Sequence, residues 1–289
     1  MSKRKPYDKT LVPLNKQIDI ENVIRSKSPK LLKYLPRFIL KYLKRILHED
    51  EVNIALETYK DAEGIDFVDG IIKEFGAKIN VINPQNLPGT GRYLIASNHP
   101  LGGLDGMALM HVVGKVRRDI LFPVNDILLF LKNLKPLFIP INKHGKNTDN
   151  IKSIDNTFAS DTMILYFPAG LCSRKQKGKI CDLEWKNTFI KKSVQYQRDI
   201  IPVHIEGKNS NFFYNLANFR KRLGIKANIE MLYLVDEMFK QYEENINITF
   251  GKPISYKVFE NIYKSKEWAE KVKKHVYELG KNPDAEFKV

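Results

Sequence analysis

The 289-residue chain is 43% apolar and 11% aromatic, enough to build a core and to exclude a disordered chain. Its 48 Lys and Arg against 33 Asp and Glu leave a net charge of +15, which selects anionic partners: nucleic acid, an anionic membrane surface, or acidic substrates such as phosphates, coenzyme A and acyl carrier protein. Cys172 and Cys181 are too few for a disulfide framework or a zinc site of usual spacing, and no run reaches the ~18 apolar residues of a membrane-spanning helix.

The opening MSKRKPYDKT lacks the apolar core of a signal peptide, so the expected location is inside the cell. Residues 1–28 read as an irregular polar arm. Residues 31–47, LLKYLPRFILKYLKRIL, space Leu31, Leu35, Phe38, Tyr42 and Ile46 three to four apart and predict a helix kinked at Pro36. Lys30 to Arg45 holds six cations and no anion. One reading is a helix packed on its own domain. The other, favoured by the one-signed charge, is a helix in an anionic bilayer interface. Residues 49–76 read as one or two helices ending at Gly76.

Beyond Gly76, short β-branched and aromatic runs alternate with helical stretches. The expected strands are Ala77 to Ile82, Arg92 to Ser97, Asp119 to Val124, Leu137 to Ile141, Thr162 to Phe167, Ile200 to Ile205 and Asn247 to Phe250. The expected helices between them are Gly106 to Val116, Asp126 to Leu134, Asn147 to Ser160 and Glu184 to Tyr196. This alternation predicts an α/β domain over 77–289, a mostly parallel sheet flanked by helices, with 29–76 as a helical membrane-surface segment. Residues 211–240 mix large apolar side chains with Arg220, Lys221, Arg222 and Lys226, a second candidate membrane-facing patch.

Ligands of such sheets bind beyond the carboxyl ends of strands. Two glycine-bearing polar loops fall there, SNHPLGGLDG (97–106) and FPAGLCSRK (167–175). A neutral histidine with a carboxylate behind it can take a proton from a hydroxyl near neutral pH. Gly102, Gly103 and Gly106 permit a turn that folds Asp105 back onto His99. A structural loop in which Asp105 caps the next helix is the bland alternative.

Taken in order, SNHPLGGLDG, LFIPIN (137–142), FPAGLCSRK, IIPVHIEG (200–207) and ITFGKPI (248–254) resemble the lysophosphatidic acid acyltransferase family, PlsC-like, over about three fifths of the chain. The resemblance implies that His99 is the general base activating an acceptor hydroxyl and that Asp105 orients it. It further implies an acyl thioester of acyl carrier protein or coenzyme A as co-substrate, with no cofactor and no metal. Asn98 supports the turn or polarises the thioester carbonyl. Asn142, Lys143, Gly170, Ser173 and Arg174 fall in the acceptor-binding blocks, with Lys175 and Lys177 nearby. Cys172 as a nucleophile has no counterpart in the family, and His204 and His111 read as packing residues.

The sequence departs from the family's pattern. The spacing is H-x5-D where the family has H-x4-D, and Ala169 and Leu171 stand for the family's glutamate and threonine. Cys172 is inserted before Ser173-Arg174, and Pro140-Ile141-Asn142 then Lys143 occupy the place of a phosphate-binding arginine, whose bidentate fork asparagine cannot reproduce. These changes make the chain similar to bacterial hemolysin-like acyltransferases of amino-acid lipids, glycine or ornithine lipids, acting on a 3-hydroxyacyl amide at the cytoplasmic face of the inner membrane. Acylation of lysophosphatidic acid is the alternative, and thioester hydrolysis or a non-catalytic lipid binder are others. Nucleic-acid binding rests on charge alone, with no helix-turn-helix, RNA-recognition or zinc pattern behind it.

Overall fold

The computed structural model describes residues 9–13, 15–124, 131–140, 154–260 and 262–289. The expected helix Asp126 to Leu134 and the first half of Asn147 to Ser160 therefore lie largely outside the described residues, as do Asn142 and Lys143.

The described part of the expected 1–28 arm holds a helix. Helix α1 (Ile20–Lys27) starts where the Asp19 side chain accepts from the Asn22 N–H, a standard N-cap. The basic segment is two helices, α2 (Pro29–Tyr34) and α3 (Arg37–Ile46), with Pro36 as N-cap of the second. Proline cannot donate into the preceding turn and pushes its predecessor out of the helical region, so the expected kink is a break. Helices α4 (Glu49–Thr58) and α5 (Gly64–Phe75) follow, the latter closed by left-handed Gly76.

The packing does not follow a boundary at Gly76. Leu56, Ile65, Phe67, Val68, Ile71 and Phe75 enter the same buried cluster as the sheet residues Ile95, Leu165 and Ile201. The contact is close because helix α6 (Gly103–Gly114) ends in a glycine whose absent Cβ would lie 2.7 Å from Ile65 Cγ2. Helices α4 and α5 thus share a core with the sheet, whereas α1, α2 and α3 contribute no described residue to that cluster.

All seven expected strands form. They are β1 (Lys78–Ile82), β2 (Tyr93–Ser97), β3 (Ile120–Val124), β4 (Phe138–Pro140), β5 (Met163–Tyr166), β8 (Asp199–Ile205) and β9 (Asn245–Phe250). A two-stranded hairpin, β6 (Arg174–Gln176) with β7 (Lys179–Cys181), lies between them in sequence. The large sheet runs β1-β9-β8-β2-β5-β3-β4. Neighbours are parallel except β8 and β9, which pair antiparallel, so β1 and β9 run against the rest.

Side chains on a strand alternate faces, and β2 shows the consequence. Ile95 joins the cluster under α5 and α6, while Leu94 and Ala96 join the opposite cluster with Trp185, Phe189 and Trp268. That second layer comprises α7 (154–159), α8 (Thr188–Gln195) and α11 (Ser265–Leu279). Helix α8 begins four residues later than expected because 184–187 run as a connection that buries Trp185. Helices α9 (Asn211–Arg222) and α10 (Leu234–Lys240) complete the chain order.

One buried cation ties this layer to the sheet. Arg198 is fully buried and donates to the carbonyls of Tyr93, Thr157, Phe158, Ser160 and Thr162. It thereby joins the end of α7 to the entrances of β2 and β5. Burial lowers its pKa to about 10, so it remains a cation at neutral pH. Arg198→Met leaves those buried carbonyls without donors, a loss of at least ~3 kcal/mol. Urea unfolding of the two proteins checks this, and a midpoint within error of wild type would refute it.

Candidate active site

The site begins at the end of β2, a strand flanked on both sides by parallel neighbours and buried from Leu94 to Ser97. Asn98 fixes the chain as it leaves the sheet. Its amide donates to the Ile205 carbonyl at 2.8 Å and its oxygen accepts from the Ile205 N–H at 2.7 Å. Both polar ends of Asn98 are engaged by β8, which fits support of the turn.

The longer turn closes. His99 Nδ1 lies 3.1 Å from both carboxylate oxygens of Asp105. Asp105 is fully buried and also accepts from the backbone N–H groups of Leu101 (2.8 Å), Gly102 (3.2 Å) and Gly106 (2.9 Å). Asp105 is the third residue of α6, which starts three residues earlier than expected, and caps its own helix. One carboxylate therefore both contacts the His99 ring and caps the helix.

Gly102 makes the turn possible. Its φ of +89° and ψ of −107° are open to glycine and strained for other residues. An added Cβ would also lie 2.9 Å from Leu234 Cδ2 of α10.

The His99 ring is held on a second side by Phe167, stacked at 4.1 Å and 17°. Its side chain keeps 17% of its surface exposed. With Nδ1–H donated to Asp105, the tautomer leaves Nε2 as the lone-pair nitrogen. Burial opposes protonation of the ring. The charge and hydrogen bond of Asp105 and the charge of Asp182 outweigh it, against Arg174, and the pKa is raised above the ordinary histidine value.

The second loop meets the first directly, the Ser173 N–H donating to the His99 carbonyl at 2.7 Å. Gly170 is exposed, in a left-handed turn closed by its N–H to the Phe167 carbonyl at 3.0 Å. Ser173 is buried and its hydroxyl donates to Asp182 at 2.6 Å.

Arg174 departs from the expected anion-binding role. It is buried against Phe213, bonded to the Cys172 carbonyl and ion-paired with Glu230 at 2.9 Å. Arg220 bonds the same Glu230 carboxylate, so the guanidinium is consumed by an internal triad. Cys172 is fully buried and its thiol is pushed up to about 11, chiefly by burial, unlike an activated nucleophile. Lys175 is half-buried and Lys177 sits exposed in the hairpin turn. His111 bonds Asp69 at 2.6 Å, and His204 is packed against Gly280 with its pKa lowered by burial.

Sequence reasoning missed Asp182, which faces the His99 loop from the far end of the β6–β7 hairpin. The sole signal was an acid three residues before a tryptophan, CDLEW. It also missed the pairing of Arg174 with Glu230, which spans 56 residues.

Gly102→Ala tests the turn. The strain and the clash with Leu234 together cost about 1–3 kcal/mol, read as a lower urea midpoint. An alanine variant as stable as wild type would contradict the account of the turn.

The chain matches the acyltransferase family over residues 22–286. The lyso-glycine lipid O-acyltransferase of Bacteroides thetaiotaomicron is 50% identical over 264 residues, covering 91% of this chain and 97% of that protein. The protein of the same name from Phocaeicola vulgatus is 48% identical over 264 residues, covering 91% and 95%. A crystal structure of the 1-acyl-sn-glycerophosphate acyltransferase PlsC from Thermotoga maritima aligns with a TM-score of 0.46 and 16% identity, over 74% of this chain and 81% of that one. With a family match running from α1 to the residues beyond α11, and about half of all aligned positions shared with two relatives, the chain belongs to the acyltransferase family.

Proposed function

We propose that this protein transfers a fatty acyl group from an acyl thioester to the hydroxyl of a lyso-amino-acid lipid, with lyso-glycine lipid as acceptor. The observation that carries the reading is the His99–Asp105 pair, in a chain about half identical to two lyso-glycine lipid O-acyltransferases. His99 Nε2 takes the acceptor's hydroxyl proton as the oxygen attacks the thioester carbonyl. Asp105 holds the ring and stabilises the imidazolium. The C–S bond then breaks, and the imidazolium returns the proton to the departing thiolate of acyl carrier protein or coenzyme A. The cycle needs no covalent acyl-enzyme, no metal and no bound cofactor.

The acceptor is a lipid, and the exterior supports approach to the cytoplasmic leaflet of an anionic membrane. Among the described residues no helix is long and apolar enough to cross a bilayer. Leu31, Tyr34 and Phe38 of α2 and α3 are exposed, with Lys30, Lys33, Arg37 and Lys41 free of carboxylate partners among the described residues. A second exposed apolar set, Phe212, Phe219, Leu223 and Leu232, adjoins it. The Tyr42 and Tyr233 hydroxyls join the two at 2.6 Å, and Phe212 packs edge-on against Tyr233. The two patches read from the sequence thus form one basic, apolar surface, as an interfacial protein requires.

Acyl transfer from labelled acyl carrier protein to lyso-glycine lipid or to lysophosphatidic acid tests the reaction. Wild type is expected to label the first acceptor, and His99→Ala to lose about 10²–10⁴-fold in kcat/KM. Unchanged turnover in the variant removes His99 as the base, and preference for lysophosphatidic acid overturns the acceptor. Reversing Lys33, Arg37 and Lys41 to Glu is expected to weaken binding to anionic vesicles about 100-fold or more, at about 1 kcal/mol per cation. Equal sedimentation of wild type and variant with such vesicles would refute the surface assignment.

A further inference from the structure

The group the family pattern does not account for is Asp182. It follows the β6–β7 hairpin, which folds the chain back so that a residue remote in sequence reaches the two motif loops. Its carboxylate is fully buried. One oxygen accepts from the His99 N–H at 3.2 Å and from the Ser173 hydroxyl at 2.6 Å, and the other from the Trp185 indole N–H at 2.8 Å. Its backbone is fixed as well. The N–H donates to the Tyr277 hydroxyl at 2.7 Å, and the carbonyl accepts from Lys273 at 3.0 Å and from Gln176 at 3.2 Å.

None of the three donors to this carboxylate carries a charge, and among the described residues no cation pairs with it. A buried ionised acid without a counter-cation is costly, and a structural bridge among the same donors would not need the charge. A charge that can answer it is a protonated His99. Burial pushes the Asp182 carboxyl up, while the Ser173 and Trp185 hydrogen bonds and the charge of His99 pull it back. The charged groups facing the ring are Asp105, Asp182 and Arg174.

We propose that Asp182 is a positioning residue for His99: its carboxylate locks the His99 backbone against the Ser173 loop, and its negative charge acts with Asp105 on the ring. The proposal rests on His99 being the general base of the reading above. Asp105 then holds the imidazole, Asp182 holds the main chain that carries it, and the two acids together stabilise the imidazolium formed as the acceptor's proton is taken. Arg174, locked to Glu230, limits that stabilisation so that the ring can still release the proton to the thiolate.

Asp182→Asn keeps the size and one acceptor but sets an amide N–H₂ against the Trp185 N–H. The substitution is therefore made in a Trp185→Phe background, where only the charge is lost. Histidine labelled at ¹³Cε1 reports the titration of His99 without any substrate, its resonance identified by its loss in His99→Gln. The His99 midpoint is expected to fall by about 0.5 pH units or more on removing the charge. The acid limb of kcat/KM should move down by the same amount, because the base works only when unprotonated. A bridge without electrostatic effect would lower the rate and leave both midpoints in place, which overturns the proposal. If the double variant does not fold, reciprocity supplies the test. His99→Gln must then raise the Asp182 ¹³Cγ titration midpoint, and an unchanged midpoint overturns the proposal equally. Should wild type transfer no acyl group, the proposed reaction fails by itself, while the substrate-free titration still decides the role of Asp182.

Discussion

One buried carboxylate organises the centre of this protein. Asp105 receives four donors, three of them backbone N–H groups of its own turn and one the His99 ring. A charge with no exposed surface is tolerable only when its lone pairs are met, so the turn cannot relax without unpairing the acid. The same requirement that ends β2 and starts α6 therefore also sets the ring. Bonding of this kind fixes the ring's orientation in the folded protein.

The turn is also pinned from outside. Leu234 occupies the space a side chain at Gly102 would need, and Met238 lies against Gly103. Both belong to α10, which follows directly on the segment bearing exposed Leu232 and the Tyr233 contact to α3. Glu230, one turn earlier, holds Arg174 beneath the second loop. A single stretch of chain thus touches the basic helices, the His99 turn and the Ser173 loop. The exposed basic and apolar helices and the His99 turn are thereby tied to the same element.

Much of this was legible in the sequence. Periodicity gave the strands, because parallel strands buried on both faces are continuous apolar runs that polar residues do not imitate. The His99–Asp105 relation was legible because both partners lie on one short turn. Three things were hidden. The break at Pro36 and the burial of 49–76 depend on what the helices pack against, which local pattern does not encode. The fates of Asn98 and Arg174 depend on partners far along the chain, Ile205 and Glu230. An asparagine that clamps two strands and one that binds a substrate carry the same letter, and only the distant partner tells them apart. The antiparallel entry of β9 was hidden for the same reason, since a strand's direction is set by its connection and not by its side chains.

The changes in the FPAGLCSRK loop become coherent once its packing is known. Ala169 is buried with Trp185 and Phe189, and Cys172 with Phe213 and Tyr214. The inserted cysteine is thus accommodated by turning it inward, in the apolar niche beneath α9, and Arg174 follows it inward to Glu230. A loop whose side chains are drawn into the core offers few polar groups of its own to the turn opposite. What it retains is backbone, the Ser173 N–H on the His99 carbonyl, and one hydroxyl. From the hairpin, Asp182 meets that hydroxyl and the His99 N–H together. A carboxylate delivered by a separate element is buried and bonded without relying on the loop's own side chains, so that two acids, Asp105 on the ring and Asp182 on the main chain, hold His99.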